Sequence, residues 1–414
     1  MTLADFKISV HHIGGRSGTR PYPVFNWLEP EIVNVLYEAD EACIPQIIEA
    51  WDGKCIVLPY CMGGSDTTAS FNLVYDRYES SLLNFHPDLL DSFRYNDQFA
   101  YDTDPAAHRK VDVIPVTLRT LDTIFPHDEP PVPPPDFLSL DAEGAEYDIL
   151  AAAPRLLRNN IHGVIFEFGF QRWFQGQKNF QEIASLLENQ GFQLMDIHCG
   201  KLLHMKTCRP IGLRGRGVLT SGDALFLKSP ENILDRHQNP MIALAKAALT
   251  GLLLGHLEYS LSVADLMRQY DVFLWLEAIA ERHGEKLPGY LSFLGTFLSM
   301  VDRYPPIFPV RYSQLYSTPE AAAARFSGNP AERQALLSHC RPDPVRARYL
   351  AGMNLTEEHL LQQIDLVKTR EYFGVEELFD MMGMQELADT VRDDRIQQVQ
   401  GLMDHLGIVR LPGH

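Results

Sequence analysis

The chain is poor in cysteine. The six it has among 414 residues, Cys43, Cys55, Cys61, Cys199, Cys208 and Cys340, form no CxxC pair and no short Cys/His spacing suited to zinc. A disulfide-stapled secreted scaffold is therefore disfavoured, and a reducing, cytoplasmic compartment is expected. Long apolar runs are missing as well. The most apolar stretch, Met241 to Leu254, is interrupted by Lys246 and falls short of the roughly 20 residues a bilayer-spanning helix needs, so it reads as a buried helix. The first residues, MTLADFKISVHH, carry acidic and polar groups where a signal peptide needs a basic start and an unbroken apolar run. Positive charge is in deficit: 36 Lys and Arg against 54 Asp and Glu leave a net charge of −18, which argues against nucleic acid as a partner. No repeat period, P-loop or GxGxxG phosphate cradle is present. What remains, 45% hydrophobic and 22% charged residues, is ordinary globular composition, and the length allows two or three domains of about 100–200 residues each.

From Phe6 to about Leu227, short β-rich runs alternate with helical patterns, the signature of an α/β architecture with a mainly parallel sheet. Seven runs read as strands: Lys7–Ile13, Ile32–Tyr37, Lys54–Tyr60, Phe137–Leu140, Val164–Phe168, Phe192–Ile197 and Ala224–Lys228. Helices are expected over Ile44–Trp51, Ala145–Arg158 and Asn179–Gln190, the last stopped by Gly191. Pro126–Pro135 lacks too many backbone donors to be helix or central strand and must be loop. After Pro230 the β-rich alternation ends. Long helical patterns follow, Met241–Leu254, Val263–His283 and Ala331–Cys340, divided by Pro/Arg-rich stretches at 304–311 and 341–346. Residues 1–229 thus read as one α/β domain and 230–414 as an all-helical region, either a structural cap or dimer element packed on that domain or a cover that closes over its crevice and selects the acceptor.

The first strand runs into HHIGGRSGT, placing Gly14, Gly15 and Gly18 where the chain must turn tightly and where a ligand can approach the backbone. A plain tight turn would use the same residues. Glu38, at the end of the second strand, stands 20 residues beyond Gly18, the spacing at which an acid receives ribose hydroxyls; Asp40 competes for the role if that strand is longer. The sharpest feature is FLSLDAEGAEYDIL, in which a buried strand delivers Asp141, Glu143 and Glu146 into a glycine-containing turn. Helix capping and the helix dipole account for such acids in one reading. In the other, Asp141 and Glu143 face the crevice, where they hold a divalent cation, position a hydroxyl or accept its proton. The next strand ends on Glu167, a neighbour of Asp141 in the sheet, either in that crevice or paired with Arg172. Phe168, Phe170, Trp173 and Phe174 follow as pocket wall or core, and His12, His86 and His198 are candidate bases or hydrogen-bonded core residues.

The succession of glycine turn, Glu38, VDVIPVTLRTLDTIF, DFLSLDAEGAEYDIL, GVIFEFGF, Gly191-Phe192 and DALFL resembles the FkbM-type S-adenosylmethionine-dependent methyltransferases over roughly Ile8 to Leu227. The resemblance implies a Rossmann-like seven-stranded methyltransferase sheet with an antiparallel last strand, followed by the helical region that lies outside it. It places S-adenosylmethionine over Gly14, Gly15 and Gly18, its ribose on Glu38 and its adenine against Cys61-Met62-Gly63, with Asp141, Glu143 and Glu167 toward the methyl acceptor. Two departures stand out. The stretch His12-Ile13-Gly14 lacks the acid the family carries just before its glycine turn, and Ser139 stands where the family commonly has lysine.

The expected reaction is O-methylation of a hydroxyl on a sugar, a glycosylated or a polyketide-type metabolite. Asp141, Glu143, Glu167 or His12 would assist proton loss, and Asp141, Glu143 and Glu167 would hold a cation such as Mg²⁺ if one takes part. The partner is a small-molecule hydroxyl acceptor; no nucleic acid and no membrane span are expected, and a homodimer is a candidate assembly. Two rivals differ in class: a metal-dependent nucleotide-sugar glycosyltransferase, whose Asp-x-Glu turn would grip a diphosphate, and a non-catalytic protein with a degenerate methyltransferase fold.

Overall fold

Ten strands and nine helices organise the computed structural model, which describes residues 7–14, 32–86, 89, 109–125, 132–203, 218–283, 291 and 294–295. The strands are β1 (Ile8–Ile13), β2 (Ile32–Tyr37), β3 (Cys55–Leu58), β4 (Cys61–Met62), β5 (Thr68–Val74), β6 (Lys110–Arg119), β7 (Phe137–Leu140), β8 (Gly163–Gly169), β9 (Phe192–Leu203) and β10 (Val218–Lys228). The helices are α1 (Ile44–Ala50), α2 (Leu121–Ile124), α3 (Glu146–Ala151), α4 (Pro154–Asn159), α5 (Phe180–Asn189), α6 (Pro230–Arg236), α7 (Pro240–Leu253), α8 (Leu257–Gln269) and α9 (Val272–His283). By proximity the chain divides into two compact units; the second, 299–378, lies outside the described residues, as do Gly15, Gly18 and the predicted helix Ala331–Cys340.

Seven strands form one sheet in the order β3-β2-β1-β7-β8-β10-β9. Its first five strands are parallel, and β10 enters antiparallel between β8 and β9. In order of appearance within the sheet this is 3-2-1-4-5-7-6 with the seventh strand reversed, the Rossmann-like methyltransferase arrangement. β1 and β7 are buried along their whole length, as strands covered on both faces must be; β7 reads as a near-continuous apolar run, whereas β1 buries Ser9, His11 and His12 as well. Chain order reverses between β1 and β7, so a crevice opens beyond their carboxyl ends.

Two predicted helices are each divided. Within 145–158, Pro154 has no N–H to offer the carbonyl four residues back, so α3 ends and Pro154 opens α4. Within 263–283, Asp271 adopts a left-handed φ of 50° between α8 and α9. The other departure is a small sheet of order β4-β6-β5, which the sequence reading missed. α5 follows its sequence signals closely: Asn179 and Glu182 form a reciprocal capping box, and Gly191 takes the left-handed φ of 88° just past the end.

Helices α6 to α8 pack on the sheet domain. Twelve of the fourteen residues of α7 are buried, so the apolar stretch is an interior helix. Its Lys246 Nζ lies 2.7 Å from Asp136 Oδ2 just before β7, and its Thr250 Oγ1 meets His162 Nε2 at 3.1 Å. Lys228, fully buried at the end of β10, donates to the carbonyls of Leu157 and Arg158 in the last turn of α4, where a cation opposes the helix dipole. No helix among the described residues is long and apolar enough to cross a membrane.

Candidate active site

A cavity of about 340 Å³ opens at the carboxyl ends of β1, β2, β7 and β8. One side presents Glu38, Tyr60, Cys61 and Met62; the other presents Asp141, Glu143, Glu167 and Asp223; Gly14 lies between them at the end of β1.

Gly14 has a φ of 99°, and a Cβ there would sit 1.8 Å from the carbonyl oxygen of Asp141. The glycine is therefore required by the closeness of β1 and β7, whose Asp141 N–H donates to the Ile13 carbonyl at 2.9 Å. Glu38 is buried, and its Oε1 accepts the Asp40 N–H at 2.7 Å, which fixes the carboxylate at the end of β2. Asp40 instead caps the short 3₁₀ turn 41–43 by accepting from Ala42 N–H and is not part of the lining. Between the two sequence candidates, Glu38 is thus the acid in the cavity. Cys61 and Met62 line the same side. Burial, reinforced by the charge of Glu38, pushes the Cys61 thiol up to about 12, so it stays an uncharged thiol. Gly63 is not in the lining and packs toward Leu118.

On the acidic side, one oxygen each from Asp141, Glu143 and Glu167 lies within 4.8 Å of the others. Asp141 is exposed to the cavity. Burial, then the charges of Glu146, Asp223 and Glu79, push it up to about 6; a hydrogen bond with Glu167 acts against them. Glu143 holds a left-handed φ of 49°, and Ser81 Oγ donates to its carbonyl at 2.6 Å, pinning the turn. Glu146 does something different. Its Oε1 accepts from the Ala142 and Gly144 amides at 2.9 and 3.2 Å, so it braces the turn from behind, and burial pushes it up to about 7. The capping account of Asp141 does not hold, since Ala145 is the N-cap of α3 and no side chain caps that helix. Nor is Arg172 observed paired with Glu167; its guanidinium meets Glu182 at 3.3 Å.

Two further acids of the lining, Glu79 and Asp223, went unread in the sequence. Asp223 lies opposite Glu167 in the antiparallel register of β10 and β8. That pairing becomes legible once DALFL is laid beside GVIFEFG in reverse, but not from spacing along the chain.

The candidate histidines His12, His86 and His198 and the rings of Phe168, Phe170, Trp173 and Phe174 are not in the lining. His12 Nε2 faces the Gly14 carbonyl at 3.2 Å, which only accepts, so Nε2 carries the proton and Nδ1 accepts from Ser139 Oγ at 2.9 Å. Burial lowers His12 to about 4, leaving it neutral and engaged at both nitrogens. Ser139, at the family's lysine position, thus serves as its partner. His198 is half-exposed beside Asp196, 3.4 Å away, and the backbone N–H of His86 donates to Trp173. Phe168 packs in the main core against Phe170 and Phe180, while Phe174 and Trp173 pack on Phe85; these rings are core rather than pocket wall.

Asp122 of VTLRTLD is structural. Its two oxygens accept the N–H groups of Arg155 and Leu156 at 2.9 and 3.1 Å, capping α4 across a separation of more than thirty residues.

A stretch of the sheet domain is similar to a known family. Residues 28–194 match the methyltransferase FkbM domain. β1 and β10 fall outside the matched segment. No curated protein matches the chain. A solved structure that does is a TehB-like SAM-dependent methyltransferase from Corynebacterium glutamicum, at 11% identity over 53% of this chain and 80% of that one, with a TM-score of 0.25. The strand order above, not that superposition, carries the fold. The FkbM domain match and the sheet together support S-adenosylmethionine-dependent methyl transfer.

Proposed function

We propose that this chain methylates a hydroxyl oxygen of a small molecule, a sugar, glycosylated or polyketide-type metabolite, with residues 1–229 as the catalytic domain and the helices from 230 as its cap. The observation that carries the reading is a single cavity joining the Glu38 edge to the Asp141–Glu167 pair. The residues present fit the donor. A buried carboxylate at the end of β2 suits ribose hydroxyls, the neutral Cys61 and Met62 suit an adenine face, and about 340 Å³ lies within the range of small-molecule pockets. When bound, the donor supplies an electrophilic methyl on a sulfonium.

The chain's own contribution is positioning and proton handling. An acceptor hydroxyl must lie about 3 Å from the methyl carbon, in line with the departing sulfur, and must lose its proton as the C–O bond forms. Asp141 receives that proton, and Glu167, hydrogen-bonded to it, disperses the charge. Glu143, fixed by its turn, orients the acceptor. His12, neutral and bonded on both sides, has no part in this account.

A second reading of the same acids is favoured by their spacing: three oxygens within 4.8 Å of one another suit one divalent cation such as Mg²⁺. Dialysis against a chelator tests it; turnover unchanged by the chelator removes the metal.

Calorimetric titration separates the rivals. Binding of S-adenosylhomocysteine with none of uridine diphosphate supports methyl transfer, and the opposite pattern supports a glycosyltransferase. Cofactor binding without methyl release to any hydroxylated acceptor supports the non-catalytic alternative.

A further inference from the structure

The chain that leaves β5 of the small sheet runs along the cavity, with Tyr78, Ser80 and Leu82 in the lining. Its course is fixed by hydrogen bonds. Asp76 opens a 3₁₀ turn over 77–79 and accepts the Tyr78 N–H at 3.1 Å; Ser80 Oγ accepts the Val74 N–H at 3.3 Å. Ser81 exchanges backbone hydrogen bonds with Asn72 at 2.9 and 3.2 Å, and its hydroxyl donates to the Glu143 carbonyl, which ties the segment to the acidic side of the cavity.

On this backbone Tyr78 stands out. It belongs to the lining and is still 61% exposed, so it stands at the rim, where an entering molecule meets it. Single exposed aromatics are ordinary on a protein surface. Tyr75 is another, 66% exposed, but it lies outside the lining and carries the Arg109 guanidinium 5.7 Å above its ring. Among the described residues no ring or cation covers Tyr78 in this way, and its phenol makes no hydrogen bond.

Resting on the methyl-transfer reading above, we propose that Tyr78 is a specificity-determining residue for the acceptor, its ring receiving the C–H face of a pyranoside whose hydroxyls turn toward the carboxylates. A pyranose gathers C–H bonds on one face and hydroxyls around its edge. The π cloud of a phenol is negative over its face and attracts the weakly positive C–H groups, while carboxylate oxygens accept from the hydroxyls. An aromatic rim beside an acidic floor matches both halves of such a molecule. An extended polyketide chain offers no comparable face, so among the acceptors named above the rim favours the sugar. Because the Tyr78 backbone is already held by Asp76, stacking on the ring requires no ordering of the loop that carries it.

The test is methyl transfer from S-adenosylmethionine by the full chain to the methyl pyranosides of glucose, galactose, mannose, rhamnose and fucose, and to glucitol, which has the hydroxyls without the ring face. Calorimetric titration with S-adenosylhomocysteine runs beside it. At least one pyranoside is expected to be methylated with a KM about tenfold below that of glucitol. Tyr78→Ala is expected to raise that KM about tenfold while kcat changes by less than about twofold, and Tyr78→Phe, which keeps the ring, to restore it. The Kd for S-adenosylhomocysteine is expected to be the same in both variants and the parent. A pyranoside KM unmoved by Tyr78→Ala overturns the proposal. So does an equal loss in Tyr78→Phe, which assigns the effect to the hydroxyl, and so does a raised Kd for S-adenosylhomocysteine in Tyr78→Ala, which assigns the ring to the donor or to the fold. Transfer to no pyranoside by a chain that binds S-adenosylhomocysteine overturns the proposal and leaves the methyl-transfer reading standing. If S-adenosylhomocysteine does not bind, the methyl-transfer reading itself fails, and the inference with it.

Discussion

Asp141, pushed up to about 6, is largely ionised at pH 7 and protonated one unit or more below its midpoint. As a base it must be ionised, so turnover is expected to rise as pH increases through about 6 and to level above it; a pH–rate profile at saturating donor reads this directly. Stability runs the other way. The folded-state pKa lies above the ordinary aspartate value of 3.8, so the folded protein binds the proton more tightly than the unfolded chain, and stability is lost as pH rises from about 4 to about 6. Asp141→Asn is therefore expected to abolish most turnover, keep donor binding, and raise Tm at pH 7 by a few degrees. That corresponds to about 1 kcal/mol, once the solvent in the cavity is allowed for. A variant with full activity, or one that melts earlier, contradicts this placement of the base. At this scale the acids of LDAEGAE and FEF could be read from the sequence, because an acid at the end of a buried strand has few other uses. The division of labour among them could not, since Glu146 differs from Asp141 only in the direction its turn sends it. His12 was misleading for the same reason: its strand position is near the site, but its hydrogen bonds tie it to Gly14 and Ser139.

The elements that follow one periodicity were the easiest to read. β2 and β7 match their apolar runs residue for residue, and α5 sits between a capping box and a glycine. What remained hidden depends on partners far along the chain. β5 and β6 carry weak alternation because β6 is exposed along most of its length, so burial does not imprint a clear period on it. The split between α3 and α4 rests on Pro154, and on Asp122, which arrives from α2 to cap the second helix. That carboxylate is one-fifth exposed and also lies 3.9 Å from the Arg155 guanidinium. Asp122→Ala is expected to destabilise the fold by about 1–2 kcal/mol, the usual cost of losing an N-cap, with Asp122→Asn recovering part of it. Urea denaturation of both variants checks the order; equal stability of Asp122→Ala and the parent would remove Asp122 from the helix terminus.

Across the whole molecule, the change of character after Pro230 was legible as strands giving way to helices, but the contacts that seat those helices on the sheet were not. The join is polar and buried, where periodicity gives no signal. Lys246 and Asp136 are 8% and 14% exposed, and the Asp136 carboxylate also accepts the Ser9 N–H at 2.8 Å, so one acid ties α7, β1 and the start of β7 together. Removing one member of such a pair leaves a buried charge uncompensated, which costs more than the pair itself contributes. Lys246→Met alone is expected to destabilise the protein by about 3–5 kcal/mol. Lys246→Met with Asp136→Asn, which keeps an oxygen for Ser9 while discarding the charge, is expected to recover most of that loss. The double-mutant cycle in urea measures the coupling directly. If the single and double variants unfold together, the charge of Asp136 is not what Lys246 compensates, and the apolar contacts of α7 hold the helices to the sheet without it.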